Sequence, residues 1–183
     1  PLIEWTLPPA DEETRQIGQF VAALVEDGAT VEFGIGRLPQ SIAAFLKDKK
    51  NLGIHTELIT DAVVDLIQSG VVTGGHKSLD RGKVVASFGM GTKKLYDYLD
   101  DNPSFAFHPS DYVNDPDVIS QQHRQVAINE GTEIDLTGQV CADSIGGLFQ
   151  GGIGGQVDFN RGASRSSGGK AIIVMPSTAN DGE

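Results

Sequence analysis

Residues Phe33–Phe45 read FGIGRLPQSIAAF. A strand-like VEF runs into Gly34, Ile35 and Gly36, and an amphipathic segment begins near Pro39, with Ile42, Phe45 and Leu46 on one face. In an open α/β sheet, ligands collect beyond the carboxyl ends of the strands, where the next helix offers free N–H groups to an anion. The same spacing also suits a plain turn from strand to helix. A G-x-G that lacks the third glycine of a dinucleotide fingerprint favours that plainer reading.

Outward from this stretch the pattern repeats. Upstream, PADEETRQIGQFVAALVEDGAT is a predicted helix, with Ile17, Phe20, Val21 and Leu24 at helical spacing and Gly28 just past its end. Downstream, LGIHTEL predicts a strand and TDAVVDLIQSG a helix capped by Thr60. GKVVASFGMG is an almost wholly apolar strand, as expected of one covered on both faces, and TKKLYDYLDD follows as a helix. SFAFHP is a strand, and DPDVISQQHRQ a helix with Pro116 in its first turn. The rhythm then changes. QVAINEGTEIDLTGQVCAD predicts two strands about a glycine-containing turn, and GKAIIVMP a last buried strand. Alternating strand and helix predict an α/β fold, a mostly parallel sheet with helices on both faces. No linker or internal repeat divides the 183 residues.

Composition narrows the functions. A net charge of −11 disfavours binding to a phosphate backbone, so nucleic acid is not an expected partner. No apolar run is long enough to span a bilayer, and the start PLIEWTLPPADEE has neither the basic nor the apolar segment of a signal peptide. A cytoplasmic setting is the expectation. One cysteine, Cys141, leaves no internal disulfide; it sits on a strand-like run and reads as core. The four histidines lack metal-ligand spacing, so no metal is expected.

Three further candidates emerge from the residues. Glu57 closes the strand after the G-x-G turn, where a carboxylate serves as nucleophile or base, or merely as a charge at a helix start. His55, two residues earlier, shares its face and reads as structural rather than catalytic. GGLFQGGIGGQVDF, residues 146–159, places six glycines among apolar Ile153, Val157 and Phe159. Ordering so many glycines costs entropy, and one return is a loop whose N–H groups face a reacting oxygen. RGASRSSGGK brings Arg161, Arg165 and Lys170 together as a phosphate contact or a solvated loop.

Taken together, FGIGRLPQSIAAFLKDKKNLGIHTELITDAVVDLIQSGVVT, GKVVASFGMGTKKLYDYLDDNP, INEGTEIDLTGQVCADSIG and GGIGGQVDFNRGA resemble the C-terminal half of the acetyl-CoA hydrolase/transferase family. The likeness runs from about Gly18 onward and is strongest to members of the 4-hydroxybutyrate CoA-transferase type. It implies that residues 1–183 are most of the second α/β domain of a two-domain enzyme whose active site lies between the domains. The missing initiator Met, and an end just past a strand-like run, agree with a fragment. The resemblance implies that Glu57 is the catalytic nucleophile, forming first an acyl-glutamyl anhydride and then a glutamyl-CoA thioester. It places Gly154 and Gly155 at the oxyanion or coenzyme A, and Gly34, Ile35, Gly36, Arg37 and Leu38 in a coenzyme A-binding loop. Implied partners are acyl-CoA, short-chain carboxylates such as 4-hydroxybutyrate or acetate, the N-terminal domain, and further copies in a homo-oligomer. Two other readings are an acyl-CoA hydrolase using the same nucleophile and, for the fragment alone, a non-catalytic coenzyme A-binding domain. One departure is INEGTEIDL, where Glu130 and Gly131 replace small or neutral residues.

Overall fold

The computed structural model describes residues 2–178. The elements run in chain order as follows. Helix α1 (Glu12–Leu24) leads into β1 (Thr30–Phe33), α2 (Arg37–Ile42), a 3₁₀ turn (Ala43–Leu46) and β2 (Gly53–Ile59). Next come α3 (Asp61–Gln68), β3 (Val84–Gly89), α4 (Lys93–Leu99), β4 (Phe105–Phe107), α5 (Ser110–Val113), α6 (Pro116–Gln121) and β5 (Gln125–Glu130). Short strands β6 (Glu133–Ile134), β7 (Val140–Cys141), β8 (Ser144–Ile145) and β9 (Leu148–Phe149) precede α7 (Gln156–Arg165) and β10 (Lys170–Val174).

Six strands form one parallel sheet in the order β10-β5-β1-β2-β3-β4. From β1 the chain steps outward through β2, β3 and β4, then returns to place β5 on the other side of β1. The direction of winding therefore reverses between β1 and β5. That reversal opens a crevice at the carboxyl ends of these two strands, the usual ligand position in such sheets.

Two apolar layers cover the sheet, as the alternating pattern predicts. On one face α1, α2, α3 and α4 enclose the larger core, which includes Phe33, Leu38, Ile42, Leu46, Ile54 and Leu66. On the other, Val85, Val113, Ile119, Ala127, Phe159 and Ala163 join α5, α6 and α7 to the sheet. Gly162 permits the close approach of α6 and α7, because a Cβ there would overlap Ile119.

Several local expectations need correction. In α1 the buried positions are Thr14, Gly18 and Val21, whereas Phe20 and Leu24 are exposed. The ring of Phe45 lies over Gly18, so a narrow stripe replaces the broad apolar face. Thr60 occupies the N-cap of α3 without capping it, and its hydroxyl instead donates to Gln40 Oε1 at 2.7 Å. The far end of β3 is partly open, with Phe88 exposed. QVAINEGTEIDLTGQVCAD does not make one strand pair. Its first half is β5, already flanked by β1 and β10, so the next segment folds back on itself as the β6–β7 hairpin. Cys141 lies on that hairpin, half-buried and outside the core. Strand β10 is a sheet edge with only its last residue, Val174, buried. The β6–β7 and β8–β9 hairpins carry exposed Ile134, Leu136, Ile145, Leu148 and Phe149. No helix among the described residues is long and apolar enough to cross a membrane.

Candidate active site

A small recess of about 90 Å³ opens at the reversal point of the sheet. The ends of β1, β2 and β5 and the glycine segment before α7 supply its walls. Glu57 stands in it, two residues before the end of β2 rather than at the end itself. The backbone N–H of Gly155 donates to Glu57 Oε2 at 2.9 Å, linking residues 98 apart in sequence. Gly154 adopts a φ of 55°, which a residue without a Cβ accommodates, and turns the chain so that the next amide faces Glu57. Asn114, just past α5, brings its Nδ2 beside Gly155, while its buried Oδ1 has no partner.

The G-x-G turn forms the wall opposite. Gly34 continues the β1–β5 ladder, donating its N–H to Ile128 O at 2.8 Å, and Gln40 Nε2 fastens the turn by donating to the carbonyls of Phe33 and Gly34. A Cβ at Gly34 would collide with Asn129, and one at Gly36 with Glu130. The glycines therefore let the turn lie against the end of β5. Glu130 Oε2 accepts the Leu38 N–H at 3.1 Å, so the start of α2 already has an anion of the protein's own. The turn backs the recess with bare main chain, and Glu130 occupies the amide that a phosphate would use.

The structure does not gather all the sequence candidates. Gly34, Ile35, Glu57, Gly154 and Gly155 line the recess. Arg37 points away and pairs with Asp11 at 2.9 Å, and the Leu38 side chain is core. Ile153 and Val157 are partly exposed, and only Phe159 of that apolar trio is buried. Arg165 pairs with Asp117, Lys170 with Glu26, and Arg161 is exposed on α7, so these three cations make no common site. Sequence reasoning missed Glu32, Asn129, Gln40 and Asn114.

The recess is electrostatically lopsided: three carboxyl groups, Glu32, Glu57 and Glu130, line it with no cation. Burial pushes the Glu32 carboxyl well above its usual range, and the Glu57 charge adds to this against the opposing pull of the Ile128 and Asn129 N–H donors. Among the described residues, no cluster of three or more His, Cys, Asp or Glu could hold a metal ion.

His55 is a structural histidine. It is fully buried beneath α5, with Nε2 2.8 Å from Val113 O and Nδ1 3.3 Å from Gln122 Nε2. Those partners suit a neutral ring that donates from Nε2 and accepts at Nδ1. Burial, aided by the charges of Lys77 and His108, lowers its pKa from 6.5 to about 4, against the Val113 bond and Asp80. The unfolded chain thus takes a proton below pH 6.5 that the folded chain refuses until about pH 4. Stability should be flat with respect to this group above pH 6.5 and fall by roughly 3 kcal/mol on acidification through that window. The urea midpoint against pH, with the His55 ring resonances followed by NMR, measures this. A ring midpoint near 6.5 would refute it.

The carboxylate of Glu57, held by a glycine N–H, thus stands at the reversal of a parallel sheet, where such folds bind their ligands. The chain belongs to the acetyl-CoA hydrolase/transferase family: the sequence profile of the acetyl-CoA hydrolase/transferase C-terminal domain matches residues 91–183. It is 50% identical over 183 residues to the 4-hydroxybutyrate coenzyme A transferase of Clostridium kluyveri, covering 100% of this chain and 43% of that protein. It is 38% identical over 174 residues to the butyryl-CoA:acetate CoA-transferase of Anaerostipes caccae, covering 94% of this chain and 39% of the relative. The crystal structure of RipA from Yersinia pestis superposes with a TM-score of 0.95 at 46% identity, over 100% of this chain and 41% of that one. The chain thus spans about two fifths of the length of these relatives.

Proposed function

We propose that this chain is the nucleophile-bearing domain of a CoA-transferase that moves coenzyme A between an acyl-CoA and a short-chain carboxylate of the 4-hydroxybutyrate or acetate type. The observation that carries the proposal is the Glu57 carboxylate, held by the Gly155 N–H inside the recess. Family membership and the named activities of the relatives support it.

The steps follow from the chemistry. A Glu57 oxygen attacks the thioester carbon, the C–S bond breaks, and CoA leaves as thiolate from an acyl-glutamyl anhydride. The thiolate attacks the glutamyl carbonyl, and the first acid departs as carboxylate, leaving a glutamyl-CoA thioester. An incoming carboxylate attacks that carbonyl and expels the thiolate, which then attacks the new acyl group and frees Glu57. The acyl activation passes between covalent bonds throughout and is not lost to water. Oε2, which accepts the Gly155 N–H, remains as the carbonyl oxygen of the glutamyl intermediates. Each attack on that carbon puts negative charge on Oε2, with a donor already aimed at it. Gly34 and Ile35, which line the recess, would present main chain to the pantetheine arm, while Gly36 lets the turn pack on Glu130. An N-terminal domain would provide the other wall and exclude water.

The test is a trap in the full-length polypeptide. Incubation with acetyl-CoA followed by hydroxylamine should give a hydroxamate on Glu57 in the peptide mass spectrum, with coenzyme A passing to butyrate in a parallel assay. An unmodified Glu57 alongside intact exchange would refute the assignment. Acetyl-CoA consumption independent of added carboxylate would mean hydrolysis.

A further inference from the structure

Glu32 is an anomaly in its strand. TVEF is buried at every position, and its glutamate is 2% exposed in the central strand of a parallel sheet. Such a side chain is costly to bury unless its polar atoms are satisfied or its charge removed. Only one oxygen is satisfied. Oε2 accepts from Ile128 N–H at 2.9 Å and from Asn129 Nδ2 at 3.1 Å. Among the described residues, no N–H or O–H donates to Oε1, and the side chain lines the same recess as Glu57.

These contacts decide where a proton would sit. An oxygen already accepting two N–H groups is a poor place for it, so the acid form carries it on Oε1, facing the recess. The recess otherwise holds the carboxylates of Glu57 and Glu130 and no cation, yet the proposed reaction brings a further carboxylate into it. Resting on the CoA-transferase reading, we propose that Glu32 is a specificity-determining residue whose Oε1–H donates a hydrogen bond to a carboxyl oxygen of the incoming acid. It would let an anionic acceptor approach a site lined by acids.

The titratable groups that share the recess from neighbouring strands are Glu57 on β2 and Glu130 on β5. Both, when ionised, oppose ionisation of Glu32, and Asn129 and Asn160 beside it are neutral. Burial acts in the same direction. Burial and these neighbours favour the acid form, and the donor is lost when Glu32 ionises.

The experiment measures kcat/KM for acetate as acceptor, with butyryl-CoA as donor, from pH 6 to 10 in the full-length polypeptide. Wild type is compared with Glu32→Gln and Glu32→Leu. The amide can keep its oxygen on Ile128 and Asn129 and turn its NH₂ into the recess. Glu32→Gln should therefore stay close to the low-pH wild-type value and lose the decline with rising pH assigned to Glu32. Glu32→Leu should lower kcat/KM for acetate about tenfold or more while still giving the Glu57 hydroxamate. If Glu32→Leu does not fold, the pH profile of Glu32→Gln decides. An unchanged decline with rising pH in Glu32→Gln, with the wild-type Glu57 adduct present, would overturn this proposal alone. Absence of both that adduct and coenzyme A exchange in wild type would overturn the transferase reading and this proposal together.

Discussion

Glu57→Gln in the full-length polypeptide should lower coenzyme A exchange by about 10⁴-fold or more and abolish the hydroxylamine-trapped adduct. Gln matches Glu in shape, and its amide oxygen can still accept the Gly155 N–H that Oε2 accepts at 2.9 Å. Leu58 and Ile59 beyond it are core and do not sense the change. What disappears is the nucleophile, because an amide oxygen does not form a stable anhydride with the acyl group. Thermal unfolding should therefore match wild type while kcat collapses. Exchange within tenfold of wild type would show that Glu57 is not the nucleophile.

Gly155→Ala is the second large effect, an expected loss of 10²–10³-fold on the order of an oxyanion donor's removal. Gly155 has φ −82° and ψ 8°, which alanine tolerates, so backbone strain is not the reason. The added Cβ would stand 2.6 Å from both Glu57 Oε2 and Asn114 Nδ2. It must displace Glu57, Asn114 or the Gly155 N–H that Glu57 accepts. Because α7 is anchored further along by buried Phe159 and Ala163, the fold should survive. The signature is a fall in kcat with the unfolding midpoint nearly unchanged. Equal kcat in the variant would mean that the Gly155 contact is incidental to turnover.

The strands were readable because a parallel sheet covered on both faces leaves apolar runs punctuated by glycine, as in GKVVASFG. Glu57 and the glycine segment stood out for chemical reasons, and the family resemblance connected them. Contacts made at long range stayed hidden. Gly155 reaches Glu57 across 98 residues, Glu130 reaches Leu38 across 92, and Asn129 reaches Glu32 across 97. No local period records such meetings. One sign of Glu32 is present in the sequence, an acid inside an otherwise uncharged strand. Other misreadings came from treating apolar periodicity as burial. Phe20 and Leu24 fit the helical spacing but face outward, and Cys141 sits on a strand too short to enter the core. Arg161, Arg165 and Lys170 cluster in sequence, yet Lys170 lies on β10 apart from the two arginines of α7, and Asp117 and Glu26 pair with Arg165 and Lys170.

The sheet order also has a consequence for synthesis. β1 is made before its β5 neighbour: Ile128, which donates to Glu32, lies 96 residues further along the chain. At ribosomal rates the interval is roughly 5–20 s. Throughout it, one side of β1 has no native partner and is open to pairing with other nascent chains. An acid in an unpaired strand discourages such pairing, because a foreign sheet would have to bury it without Ile128 and Asn129. An ionised Glu32 would oppose such mispairing until β5 emerges.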